Sequence, residues 1–176
     1  LQNSVLPYQQ VFRAPLEIEK ASGQLFWTHQ GEQWKLWSNG VDVQARSLWI
    51  NGDFGFSTSP EQGPWVSILA GIDLYDGKDA WRYYPEPLMG KNLVDYLTEA
   101  IQGGKAKDAT LIFEGNPQHF PFKQKTGKFE VFVPLREATL KFQPTWKPLT
   151  DITINLDFID NGLWMRAKDA RLMNVQ

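Results

Sequence analysis

The sequence contains no cysteine, which removes disulfides, thiolate zinc centres and thiol nucleophiles from consideration. It also lacks a charge excess: 22% of residues are charged, the formal net charge is −2, and acidic and basic side chains alternate instead of forming blocks. A polybasic surface is therefore missing, and no nucleic-acid partner is expected. No run of about 18 apolar residues could cross a bilayer as a helix. The two histidines, His29 and His119, lie far apart, and neither has a carboxylate or second histidine at helical or hairpin spacing. No metal site is expected from them. GxSxG, P-loop and dinucleotide fingerprints are all absent, so nothing points to a cofactor.

What is present is period two. With 176 residues the chain suits one domain, or one stretch of something longer. Ile152, Ile154, Leu156 and Phe158 alternate with Thr153, Asn155 and Asp157, as in a strand with one buried face. Phe129, Val131 and Val133 form a similar run, followed by shorter ones at Val41–Ala45, Ala109–Phe113 and Ala138–Phe142. Between the runs sit Gln30-Gly31, Asn39-Gly40, Asn51-Gly52, Asp76-Gly77, Thr126-Gly127 and Asn161-Gly162. These pairs supply the positive φ that tight hairpins need, which predicts antiparallel pairing of consecutive strands. One stretch, Asn92 to Gln102, instead spaces Leu93, Leu97 and Ile101 by four, with Tyr96 and Ala100 alongside. The spacing predicts one short amphipathic helix, capped by Asn92 and stopped by Gly103-Gly104. Ala109-Thr110-Leu111-Ile112-Phe113 echoes in Ala138-Thr139-Leu140-Lys141-Phe142, and such repetition favours a sheet stacked strand by strand. Strand-like patterning at Val11 to Ile18 and Leu163 to Val175, close to both termini, is expected of a piece excised from a longer protein.

Candidate chemistry is sparse. Asp73, Asp76 and Asp79 flank Gly77, but the spacing fails the EF-hand loop, and a hairpin turn is expected instead. Glu17, Glu19, Asp157 and Asp160 could be paired on paper as glycosidase carboxylates, yet Glu17 and Glu19 occupy the polar side of a strand, where solvation explains them. The aromatic content is in excess: eight tryptophans, five tyrosines and eleven phenylalanines. On strands such rings build cores, sugar-stacking platforms or apolar ligand channels, and composition does not choose among the three.

Several stretches resemble the YhdP branch of the AsmA-like proteins of Gram-negative bacteria. They include Ser47 to Phe54, Ala80-Trp81-Arg82-Tyr83-Tyr84-Pro85-Glu86-Pro87-Leu88-Met89-Gly90 with its continuation to Gly104, Phe113 to Pro117, Phe120-Pro121-Phe122, Val133 to Ala138, and Asn161 to Met165. The resemblance covers nearly the whole chain. It implies a mainly β fold: an extended, curved antiparallel sheet with one short helix, residues 1–176 forming a single segment of a longer repeated groove body. It further implies a non-enzymatic, periplasmic role in carrying phospholipid between inner and outer membranes. The full-length protein would be anchored in the inner membrane by a helix absent from this chain, and the partners would be phospholipid acyl chains and adjoining segments. Apolar strand positions would then line the groove: Leu111, Phe113, Val131, Val133, Leu140, Phe142, Ile154, Leu156 and Phe158. The competing expectation is a β-sandwich carbohydrate-binding module that uses exposed tryptophans.

Overall fold

Nine strands form one antiparallel sheet whose spatial order equals chain order. The structure is a computed structural model and describes residues 2–6 and 11–172. The strands are β1 (Gln2–Leu6), β2 (Leu16–Gln30), β3 (Gln33–Ala45), β4 (Leu48–Ser59), β5 (Gly63–Leu74), β6 (Ile101–Gly115), β7 (Gly127–Leu140), β8 (Leu149–Ile159) and β9 (Gly162–Leu172). Between β5 and β6 lie a 3-10 helix (Gly77–Tyr83), α1 (Glu86–Met89) and α2 (Lys91–Ala100). The sheet is not closed, since β1 and β9 do not pair with each other. A β-sandwich requires two facing sheets, whereas all described strands belong to one.

Several boundaries fall elsewhere than the sequence predicts. The Gln30-Gly31 turn is present, with Gln30 paired to Gln33, but Asn39-Gly40 and Asn51-Gly52 lie inside β3 and β4. Asn39-Gly40 makes a bulge, marked by the register shift between Ser38 and Val41 and by a Gly40 φ of 65°. The Gly40 amide donates to Asp53 Oδ1 at 2.8 Å. The runs on either side of this pair already have partners in β4, so its positive φ bends the strand instead of ending it. Asp76-Gly77 is likewise no hairpin: Asp76 caps the 3-10 helix by accepting from the Lys78 amide at 2.9 Å. The last hairpin turns at Asp160-Asn161, one residue earlier than expected, with Ile159 paired to Gly162. Another, at Arg46-Ser47, carries no turn signature in sequence, although Ser47 takes a φ of 59°. Near the N-terminus, Val11 is a turn residue and β2 starts only at Leu16. At the other end, β9 runs to Leu172, and Met173 to Val175 lie outside the described residues.

The helix also shifts. It is capped by Gly90 rather than Asn92, and Ile101 is already extended, pairing with Leu140 as the first residue of β6. Gly103 and Gly104 therefore sit in that strand and do not stop the helix. Strand hydrogen bonds to β7 replace the expected last helical turn, and the buried stripe becomes Val94, Leu97 and Ala100. Leu93 is half-buried and Tyr96 is exposed. Bulges interrupt the ladders β6–β7, β7–β8 and β8–β9, and Asp108, Glu137 and Asp151 take φ of 59°, 51° and 53° there. Bulges bend strands and raise their twist, which curves a sheet of this width.

The segment ahead of β2 is latched to the helices. Arg13 bonds Glu86 at 2.5 Å and Asp95 at 2.6 Å, while Lys91 reaches Asp95 at 2.6 Å. The hydrogen bond from Lys91, and next that from Arg13, hold the Asp95 carboxyl below its ordinary value of 3.8, against a smaller opposing effect of desolvation. A carboxyl depressed in the folded state stabilises that state above its unfolded pKa, and the contribution fades as pH falls through the depressed value. Asp95→Asn should thus flatten the fall in melting temperature on acidification below about pH 4. An unchanged acid slope in the variant would show that the latch carries none of the pH dependence.

Candidate apolar groove

Registers propagate one apolar row across the sheet. Val41 pairs with Gly52, Gly52 with Ala70, Ala70 with Leu111, Leu111 with Val131, Val131 with Phe158 and Phe158 with Leu163. Side chains alternate along strands, so cross-strand partners share a face. The rows on either side continue that face: Val43, Ile50, Ile72 and Ala109 toward the helices, and Phe54, Ile68, Phe113 and Phe129 away from them. The opposite face carries Asp42, Asn51, Gly71, Thr110, Phe132, Asp157 and Trp164 in one row. It is mixed and mostly polar.

Each end of the apolar face is covered differently. At the end formed by Ala45, Leu48, Leu74, Ala106 and Leu140, Leu97 of α2 and Ala80 of the 3-10 helix join the core. At the other end, the loop after β6 folds Phe120 and Phe122 over the strands. Phe122 meets Phe113 edge-on with centroids 5.6 Å apart, and Phe120 stands 5.6 Å from Phe129. The Phe122 ring occupies the space above paired Gly115 and Gly127: a Cβ on Gly127 would lie 2.6 Å from the ring, and one on Gly115 2.8 Å. Two glycines in register thus form the seat of the aromatic cap.

All nine groove candidates belong to, or pack on, this one apolar cluster. They differ in depth. Phe113, Leu140, Ile154, Leu156 and Phe158 are buried, whereas Leu111, Val131, Val133 and Phe142 are half-buried. Phe142 lies beyond the end of β7. Half-buried Ile50 and Ile68, on β4 and β5, share the accessible band with Leu111 and Val131. The sequence signal for them was the strand pattern of Ser47–Phe54 and the apolar run after Trp65, neither of which separates a floor from a core. The same face continues, uncovered, at the β2–β3 hairpin, where Leu25, Trp27 and Trp34 are exposed and Trp27 stacks on Trp34.

No catalytic cluster assembles from the groups weighed in the sequence. Glu17 pairs with Arg46 and Arg82, and Asp157 with Arg166; Glu19 is exposed on β2, and Asp160, at the β8–β9 turn, has one carboxylate oxygen buried without a hydrogen-bond partner among the described residues. Asp73 accepts from the Asp108 amide, Asp76 caps the 3-10 helix, and Asp79 accepts from Ser47 Oγ and Arg46. His29 packs on Trp34 and His119 is exposed. Among the described residues no group of three histidine, cysteine, aspartate or glutamate side chains could hold a metal ion. Burial, and next the charge of Asp79, push the Tyr83 hydroxyl up to about 12, and that hydroxyl donates to the Arg46 carbonyl. Its role is structural.

The family model described as YhdP protein matches residues 1–176. The chain is 47% identical over 176 residues to a protein of Escherichia coli (strain K12) named intermembrane phospholipid transporter YhdP, covering 100% of this chain and 14% of that relative. No solved structure matches. The chain belongs to the YhdP family.

The difference in depth gives a paired expectation. Leu156→Asp places an unpaired carboxylate in a packed site and should cost about 3–5 kcal/mol in denaturant melting. Leu111→Asp keeps its charge partly hydrated and should cost about 1–2 kcal/mol. Equal costs would mean the two positions share one environment. Gly127→Ala should displace the Phe122 ring and lower stability by about 1–3 kcal/mol, seen as loss of near-ultraviolet dichroism from the aromatic cap before the sheet melts.

Proposed function

We propose that this member of the YhdP family is one segment of a longer periplasmic β-groove along which phospholipid moves between the inner and outer membranes, its acyl chains lying on the apolar sheet face. The observation that carries this reading is the unbroken apolar row from Val41 to Leu163, with Leu111 and Val131 only half-covered. The named relative, a phospholipid transporter about seven times as long as the stretch it shares with this chain (100% against 14% of length), supports it. An acyl chain needs apolar area, worth about 25 cal/mol per Å², and no directional partner. A sheet face of this kind supplies such area without trapping the chain at one point. Adjoining segments of the same protein would continue the face, and an anchor outside this chain would hold the assembly at the inner membrane. The role is non-enzymatic: Glu17, Asp73, Asp76, Asp79 and Asp157 are engaged in ion pairs, hydrogen bonds or caps, and what the fold offers a ligand is a surface.

Of the nine candidates, Leu111, Val131 and Val133 are assigned to the lining, together with Ile50 and Ile68, the buried five to the core that supports it, and Phe142, beyond the end of β7, to neither. Photo-crosslinking the 176-residue chain with a phospholipid bearing a diazirine in its acyl chain, followed by peptide mass spectrometry, tests the assignment. Adducts are expected at Ile50, Ile68, Leu111 and Val131. Labelling confined to Leu69 and Trp164 on the outward face, or no labelling, would refute the groove.

A further inference from the structure

A second site lies outside the groove, where the 3-10 helix, the outer side of α2 and the chain leaving β7 enclose a cleft of about 680 Å³. Its walls bring together Trp81, Tyr96 and Phe142 with Lys78, Lys141 and Glu99. Two lysines face one glutamate, leaving the cleft with a net positive charge. Neither lysine ammonium forms an ion pair among the described residues, although Lys91, Lys105 and Lys128 each have a carboxylate partner. Lys78 and Lys141 share that unpaired state with Lys20, Lys107, Lys123 and Lys125; what sets the two apart is the aromatic cleft that brings them together. The cleft adjoins the groove without being part of it: Ile101 and Phe142 pack on the apolar core and also line the cleft.

We propose that this cleft binds the phosphodiester group of an anionic amphiphile, with Lys78 and Lys141 on the phosphate oxygens and the first methylenes against Trp81, Tyr96 and Phe142. A singly charged phosphodiester matches the net charge, and lysine ammoniums bind phosphate oxygens through charge-assisted hydrogen bonds. The rings supply an apolar wall that a free inorganic anion would leave bare. Position gives the site a purpose, since a head group held here sits one side chain, Phe142, away from the groove's core. The identification of the amphiphile as a transported lipid rests on the groove reading; the charge and ring arrangement does not.

The test is calorimetric titration of the 176-residue chain with three probes: dihexanoylphosphatidylglycerol below its micelle concentration, glycerophosphoglycerol as the same head group without acyl chains, and uncharged dihexanoylglycerol. The double variant Lys78→Gln/Lys141→Gln should weaken the phospholipid by about tenfold or more, the Lys78→Arg/Lys141→Arg pair should restore it, and dihexanoylglycerol should bind both variants as it binds the parent. Unchanged phospholipid affinity in the glutamine pair, or an equal loss for the uncharged probe, overturns the proposal. Glycerophosphoglycerol binding as tightly as the lipid overturns the amphiphile and assigns a free phosphodiester. Leu111→Asp separates the two sites: phospholipid binding lost there and kept in the lysine variants places the lipid in the groove alone, and the reverse leaves the cleft standing without the groove.

Discussion

A single sheet with one apolar face has to cover that face, and almost everything else in this chain follows from how it does so. Alternation with period two puts Ile154, Leu156 and Phe158 on one side of β8, and antiparallel register hands the same side from strand to strand until it reaches Val41 on β3. A second sheet would bury the whole face and leave no surface for a ligand. Here the covering is partial: a ten-residue helix with its 3-10 neighbour at one end, and two phenylalanines at the other. Between them a band of apolar side chains keeps partial access to water.

The outer face shows how a thin sheet tolerates its aromatic residues. Trp49 donates its indole N–H to Asp42 at 2.8 Å and Trp65 donates to Glu114 at 2.5 Å, so each ring covers a neighbouring strand while its polar edge is satisfied. The aromatic excess thus serves both faces. Most strand phenylalanines cap and floor the inner side, with Phe26 and Phe132 on the outer one; Trp37, Trp49, Trp65 and Trp164 lie across the outer side, Trp27 and Trp34 end the inner face at the β2–β3 hairpin, and Trp81 stands apart in the lysine-bearing cleft.

The fold class was legible because period two repeats through most of the chain, and one helix was legible because its period differs. What was not legible was which glycine turns the chain. Asn39-Gly40 and Asn161-Gly162 look alike in sequence, yet the first bends a strand that has partners on both sides and the second opens one after a hairpin. Tertiary pairing decides between those outcomes, and it decided the end of α2 at Ile101 as well. Depth was equally hidden: Val133 and Leu156 are register partners with the same local pattern, yet one is half-buried and the other buried. The cleft escaped notice because Lys78, Glu99 and Lys141 come from three separate stretches with no common spacing.

Strand order equal to chain order has a kinetic meaning. Each strand needs only its predecessor as a template, and half of the eight connections are turns of two or three residues, as at Gly31-Glu32, Arg46-Ser47 and Asp160-Asn161. Closing such short loops costs little chain entropy, and low sequence separation between contacts favours rapid folding. A chain delivered N-terminus first can therefore add strands in the order they emerge, with no earlier pairing undone. The longest connection is the stretch between β5 and β6, where the 3-10 helix, α1 and α2 intervene before β6. That stretch carries the largest loop-closure entropy of any connection in the sheet, and it also supplies the helical walls of the cleft.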